Sequence, residues 1–258
     1  MSPYLSVVIP AYNEEANLHG GALQKVAGYL DQQAYGYEVL VVDDGSEDST
    51  PALVEAFVAG HPHFHLLRNP HRGKAHAVIS GMLAARGDVV LFTDMDQATP
   101  ISEVARLLPW FDQGYDVVFG SRGLLRRGAP WWRQIMSRAM IVLRRLIVNL
   151  PGVSDTQCGF KAFRGSAARR IFQHLHLYTP GRGRRVQGGV VAAAFDVEAL
   201  FVARKLGYRL KEVPVRWDYA RTRRVSFWRD SLRGLRDLAR IRLNDVRGRY
   251  SPGDESGD

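Results

Sequence analysis

Five short runs of β-branched, aliphatic and aromatic residues punctuate the first 120 residues: Leu5 to Pro10, Tyr37 to Val42, Phe64 to Arg68, Val89 to Thr93 and Val117 to Gly120. All five read as strands, and Val89 to Thr93, too apolar to alternate inward and outward, reads as one buried on both faces. Helical patterns fill the gaps, from about Asn17 to Gln33, from Ser49-Thr50-Pro51 onward, from Gly73 to Arg86 and from Ile101 to Phe111. The second opens on a hydroxyl followed by proline, a helix-start signal. Strand and helix repeating at intervals of about 20–30 residues predict an α/β fold with a mostly parallel central sheet flanked by helices.

Such sheets gather ligands at the carboxyl ends of their strands, and three of these ends carry related chemistry. Pro10-Ala11-Tyr12-Asn13-Glu14 offers an aromatic face and acceptors, Asp43-Asp44-Gly45-Ser46 offers carboxylates with a permissive glycine, and Asp94-Met95-Asp96 puts two acids one residue apart. Side chains at i and i+2 of an extended segment point the same way, so Asp94 and Asp96 can face one divalent cation and the diphosphate it bridges. An isolated acid pair of this spacing is more often a solvated loop; its neighbours change that reading. A ring stacks on a nucleobase, a carboxylate accepts from an imide or a ribose hydroxyl, and a cation neutralises diphosphate. Together they describe a sugar-nucleotide site. His71-Arg72-Gly73-Lys74 adds glycine and a cation where a helix N-terminus favours an anion. No phosphate-loop or dinucleotide glycine signature follows the first strand.

At 258 residues the chain can bury a large core, read as one domain over 1–250: a nucleotide-sugar half over about 1–120, an acceptor half over about 121–250, and a disordered tail over 251–258. Its single cysteine, Cys158, fits a reducing compartment and a packed thiol. No apolar run is long enough to span a membrane, so the chain is expected to be soluble or peripheral, and its chemistry and lone thiol point to the cytoplasm, peripheral on the cytoplasmic face of a membrane. The formal charge of +9 favours anionic partners, and most of the arginine lies in the second half.

In order and spacing, Val7-Val8-Ile9-Pro10-Ala11-Tyr12-Asn13-Glu14, Val41-Val42-Asp43-Asp44-Gly45-Ser46, Gly73-Lys74 and Asp94-Met95-Asp96 resemble the nucleotide-binding half of the inverting family 2 glycosyltransferases of GT-A fold. The resemblance implies that Pro10, Tyr12, Glu14 and Asp44 surround base and ribose. It puts Gly73 and Lys74 near the nucleotide, and Asp94 and Asp96 at the diphosphate and its Mg²⁺ or Mn²⁺. Asp155-Thr156-Gln157-Cys158-Gly159-Phe160-Lys161-Ala162-Phe163, Phe195-Asp196-Val197-Glu198-Ala199-Leu200 and Lys211-Glu212-Val213-Pro214-Val215-Arg216-Trp217 are similar to the polyprenyl-phosphate branch. Within it they look most like dolichyl-phosphate β-glucosyltransferases, with the mannose synthases as near relatives. The activity so implied moves a hexose, glucose from UDP-glucose before mannose from GDP-mannose, onto a dolichyl or undecaprenyl phosphate.

Elementary chemistry points to the same acceptor class. An alcohol nucleophile needs a base to take its proton, whereas a phosphate monoester is already ionised near neutral pH and can attack the anomeric carbon directly. Cations must then hold the acceptor, and guanidinium forks suit its oxygens. Arg122, ending the fifth strand, is the first candidate, followed by Arg133 and Arg138. Asp155 has three readings, a base, an orienter of an arginine or a turn cap with Thr156, of which the second is favoured.

Two basic amphipathic segments complete the pattern. Met136, Met140, Leu143, Ile147 and Leu150 recur at helical spacing behind Trp131 and Trp132, and Trp228, Leu232, Leu235, Leu238 and Ile241 repeat the stripe near the C-terminus. Each alone reads as a core-packing helix; two together, rich in arginine, are expected to dock on an anionic membrane surface. The 180–189 segment reads as a mobile loop and His61, His63 and His65 as a solvated run. A soluble glycosyltransferase with a non-lipid acceptor is the competing reading. Nucleic-acid binding is disfavoured, because the arginines sit on striped helices without exposed stacking aromatics. Oligomeric state is not encoded legibly.

Overall fold

A computed structural model describes residues 2–122, 148, 150–178, 194–218 and 227–250, with side chains in the last segment from 236 onward. All five expected strands are present: β1 (Leu5–Ala11), β2 (Tyr37–Asp43), β3 (Phe64–Arg68), β4 (Val89–Thr93) and β5 (Val117–Ser121). Two more, β6 (Phe160–Arg164) and β7 (Leu210–Pro214), complete a seven-stranded sheet ordered β3-β2-β1-β4-β6-β5-β7. Six of the strands run parallel, and β6 lies antiparallel between β4 and β5.

Helices cover both faces. α1 (Glu15–His19), α2 (Ala22–Leu30) and α3 (Thr50–Val58) precede α4 (Lys74–Ala84), and the short α5 (Val104–Leu107) and α6 (Pro109–Asp112) precede β5. Beyond it come α7 (Gly165–Gln173), α8 (Phe195–Lys205) and α9 (Phe227–Val246). The helix expected over 17–33 is therefore two, because Gly20-Gly21 interrupts it and Gly21 adopts φ 75°. The one expected over 101–111 is likewise divided, with a 3₁₀ turn at Ile101–Glu103 and a fresh start at Pro109; proline cannot donate to the preceding turn.

The sheet separates two apolar layers. Val8, Leu40, Val42 and Phe92 point towards α4, α7 and α8, while Val7, Ile9, Val39, Val41 and Leu91 point towards α2 and the α5–α6 segment. Alternate residues of each strand thus feed opposite layers, which is why the strands look uniformly apolar. α4 lies close against β1 and β2 because Gly81 faces them; a Cβ there would come within 2.9 Å of Val42 Cγ2. In α9, Leu238 and Ile241 are buried in the core, and Leu243 and Val246 stand exposed. Of the C-terminal stripe, Leu238 and Ile241 pack inward; the side chains of Trp228, Leu232 and Leu235 lie outside the described residues. No described helix is long and apolar enough to cross a membrane.

Candidate active site

The carboxyl ends of β1, β2 and β4 converge with the N-terminus of α4, as the motif order predicts. β1 outruns β4, whose ladder with it ends at Val8, so Pro10 needs no donor on that side. The loops after β1 and β2 are laced together: Asn13 N–H donates to Ser46 Oγ, Glu14 N–H to Thr50 Oγ1, and Glu47 N–H to Asn13 Oδ1. Glu14 also caps α1 in sequence, its carboxylate accepting from the Asn17 amide.

Asp44 is almost fully buried, and its carboxylate organises the loop before α4. It accepts from Arg72 N–H at 3.0 Å and Gly73 N–H at 2.7 Å, and meets His71 Nδ1 at 2.7 Å. Gly73 adopts φ 96°, a conformation open chiefly to glycine. The His71 ring in turn stacks on Tyr12, with centroids 4.0 Å apart and planes 9° from parallel. Asp44 thereby fixes, through His71, the orientation of the Tyr12 ring.

Lys74, the first residue of α4, reaches Asp94 Oδ1 at 2.5 Å. Desolvation opposes the charge on Lys74, yet the carboxylates of Asp94, Asp196 and Asp96 hold its ammonium above the ordinary lysine range. Burial pushes the Asp96 carboxyl up, and the charge of Asp94 adds to this, against the Ala98 N–H bond and Lys74. Gln97 turns the chain sharply at φ 50°, its amide donating to Asp94 O. Among the described residues no three His, Cys, Asp or Glu side chains form a ready-made metal cage.

Across the sheet, Arg122 follows β5 and Asp155 lies in the segment before β6. Arg122 Nε and Nη2 donate to Asp155 Oδ2 and Oδ1 at 2.8 and 2.9 Å, and the Arg122 backbone N–H adds a third bond. Desolvation works against both charges, and the pairing overcomes it: the Asp155 carboxyl is held down at about 2 and the Arg122 guanidinium above its usual range. Glu212 of β7 secures the turn by accepting from Ser154 N–H, Ser154 Oγ and Asp155 N–H. Trp217 faces the guanidinium at 5.6 Å, and Asp218 N–H bonds Ala98 O, so the chain after β7 closes against the Asp94–Asp96 loop. Gly159 completes the join. A Cβ there would lie 2.9 Å from Asp94 Cγ, so any larger residue would oblige that carboxylate or the 155–159 turn to shift.

The motif set on this rim agrees with a family description, Glycosyl transferase family 2, that matches residues 6–172. The chain belongs to that family. Its curated relatives include the dolichyl-phosphate β-glucosyltransferases of Dictyostelium discoideum, 33% identical over 95% of this chain and 76% of that protein, and of Drosophila melanogaster, 37% identical over 83% and 66%. Among solved structures, a Pyrobaculum calidifontis mannosyltransferase in complex with GDP-Man and Mn²⁺ shares the fold at TM-score 0.57, with 20% identity over 100% of this chain and 77% of that one. So does a Mycobacterium tuberculosis glucosyl-3-phosphoglycerate synthase in complex with Mn²⁺ and UDP, at 0.56, with 20% identity over 99% and 83%. The architecture is that of a GT-A glycosyltransferase.

In this glycosyltransferase Pro10, Tyr12, Glu14, Asp44, Gly73, Lys74, Asp94 and Asp96 lie on the carboxyl-end rim of the parallel strands, and Arg122 and Asp155 belong to the same end of β5 and β6. Arg133, Arg138, the first amphipathic segment except Leu150, the 180–189 loop and the 251–258 tail lie outside the described residues. Three residues lie inside the motifs, but their contacts escape a reading of motifs alone: His71 stacked on Tyr12, Gly159 against Asp94, and Lys161 paired with Asp196. The last carried a signal, a lysine in a strand of otherwise apolar residues, since a buried charge demands a partner.

Proposed function

We propose that the enzyme transfers glucose from UDP-glucose to a dolichyl or undecaprenyl phosphate, with inversion, at a membrane surface. The observation that carries this reading is the placement of the Lys74–Asp94 pair and the Arg122–Asp155 pair on one rim, joined by the turn whose Gly159 abuts Asp94. One pair suits a diphosphate and the other a second anion. The relatives named dolichyl-phosphate β-glucosyltransferase support the choice of sugar and lipid.

Tyr12, backed by His71, offers a face for the base, and Glu14 and Pro10 flank it. Lys74 places a cation beside the donor phosphates. The hard oxygen donors of Asp94 and Asp96 fit Mg²⁺ or Mn²⁺; burial first, and the charge of Asp94 less, raises the Asp96 carboxyl, and a divalent ion would favour its ionised form. Such an ion, when bound, supplies charge stabilisation to the departing nucleoside diphosphate. Asp155 takes Nε and one Nη2 proton of Arg122, leaving the remaining guanidinium donors for an acceptor phosphate. Held down at about 2, Asp155 is a poor proton acceptor near neutral pH, and a phosphate monoester needs none. Its work is to orient Arg122.

The deciding assay incubates the protein with Mn²⁺, undecaprenyl or dolichyl phosphate and labelled UDP-glucose, with GDP-mannose in parallel. A charged glucolipid is expected. Transfer from GDP-mannose alone, or to a water-soluble acceptor without lipid, would replace this reading.

A further inference from the structure

Lys161 is fully buried in β6 between Phe160 and Ala162. Its Nζ donates to Asp196 Oδ1 and to the Cys158 carbonyl, each at 2.5 Å, and lies 5.3 Å from the Phe92 ring centre. Phe92 is its partner across the β4–β6 ladder and stands two residues before Asp94. Asp196 belongs to the first turn of α8 and is 14% exposed. The Cys158 carbonyl belongs to the 155–159 turn, whose first residue grips Arg122 and whose last abuts Asp94. One ammonium therefore ties α8 and β6 to the segment that touches both the donor and the acceptor side. The charge of Asp196 also acts on Lys74 and on Arg122.

A buried ion pair is weak evidence for stability, because well-packed apolar residues of similar volume commonly serve as well. Its value here lies in what it locates.

We propose that Lys161 and Asp196 are positioning residues for glycosyl transfer, their ion pair fixing the 155–159 turn and with it the separation between Asp94 and Arg122. The proposal deepens the reading of the site above and rests on it. Neither residue needs to touch substrate. Tyr12 and Asp96 keep their own supports and Lys74, though it loses the more distant charge of Asp196, keeps its ion pair with Asp94, so loss of the pair misplaces the reacting groups without dismantling the nucleotide site, and such misplacement falls on kcat.

The test compares Lys161→Met, Asp196→Leu, the double variant and Lys161→Arg with wild type. Three quantities are read: Tm, UDP affinity with Mn²⁺, and kcat for transfer from UDP-glucose to undecaprenyl phosphate. Each single apolar substitution strands a charge and is expected to lower both Tm and kcat. The double variant is expected to recover Tm and UDP affinity while kcat stays down by about 100-fold, the size of effect a misplacement of roughly 1 Å produces. Recovery of kcat together with Tm would show the pair to be structural and overturn the proposal. Should the double variant fold poorly, Lys161→Arg decides: it retains the charge with altered geometry, and reduced kcat at near wild-type Tm supports the proposal whereas unchanged kcat overturns it. A wild type that releases UDP from UDP-glucose without forming glycolipid would instead overturn the acceptor reading, and the variants would then be compared by UDP release.

Discussion

Asp155 holds Arg122 by parallel bonds of 2.8 and 2.9 Å to the two edges of one carboxylate, and Glu212 fixes the backbone of the acid that does so. A guanidinium so clamped presents its free edge in one direction. Both partners are mostly shielded, at 20% and 15% exposure, so removing either leaves the other poorly solvated.

Asp155→Asn is therefore expected to lower kcat/KM by about 100-fold, through loss of orientation. The pH–rate profile of the variant keeps the wild-type shape, because a carboxyl held at about 2 does not titrate in the working range. Loss of a limb near neutrality would identify Asp155 as a base. The same depression has a stability consequence. The folded value lies below the ordinary 3.8, so the contribution is present above that pH and disappears as pH falls towards 2. It amounts to about 2 kcal/mol, of which about half is lost by pH 3, so the gap between wild type and Asp155→Asn in denaturant titrations is expected to narrow by about 1 kcal/mol from pH 6 to pH 3.

Gly159→Ala tests the close pass between the 155–159 turn and Asp94. The added methyl meets the carboxylate, so either the turn or the acid must shift. Activity is expected to fall at least about tenfold with little change in Tm, since Asp94 is partly exposed and can yield. Unchanged activity would mean that the junction is not part of the working site.

At the opposite end of the sheet, Glu38 supplies a control. It is buried at 3% exposure and accepts from Ser6 Oγ, Arg86 N–H and the Arg86 guanidinium. Burial works against its charge, and these donors overcome it and depress the carboxyl below the ordinary range. Glu38→Ala leaves Ser6 and Arg86 without their acceptor and is expected to cost about 3 kcal/mol in chemical denaturation. The stabilisation it removes is present above the usual glutamate range and fades as pH falls below it. KM for the donor should stay unchanged, because no part of the nucleotide site touches Glu38.

Vesicle binding addresses the proposed membrane surface. On α9, Leu243 and Val246 are exposed, as are Arg236, Arg240 and Arg242 of the same helix and Arg247 just after it. Co-sedimentation with vesicles of phosphatidylserine and phosphatidylcholine is expected to weaken as salt rises, and Leu243→Glu with Val246→Glu should reduce it about tenfold. Indifference to lipid charge, salt and both substitutions would remove the membrane from the account.

β1, β2, β4 and β5 were legible because each is buried on both faces and so is largely apolar; β3, at an edge of the sheet, is half-buried along most of its length. β7 gave no such signal: Leu210, Lys211 and Glu212 lie at the sheet's edge and are half-buried. β6 was legible only as a motif, since a lysine interrupts its apolar run and its antiparallel insertion breaks the strand–helix rhythm. The site shows the same division. Asp94, Asp96 and Lys74 could be placed from local pattern, a strand end and a helix start. Asp44 could be placed at the rim, but its engagement by His71, Arg72 and Gly73 spans 27 to 29 residues and depends on loop geometry that no local pattern records. Gly20-Gly21 was readable as a helix break had its left-handed backbone been weighed against the continuing apolar period. The pairing of Arg122 with Asp155 was among the roles the sequence left open, and geometry chose it.

A structure of the protein crystallised with UDP-glucose and Mn²⁺, with the ion located by anomalous scattering, examines the donor site at its source. The manganese is expected between Asp96, Asp94 and the diphosphate, with Lys74 beside the phosphates and the uracil against Tyr12. An ion remote from both acids, or a nucleotide seated away from this rim, would contradict the assignment.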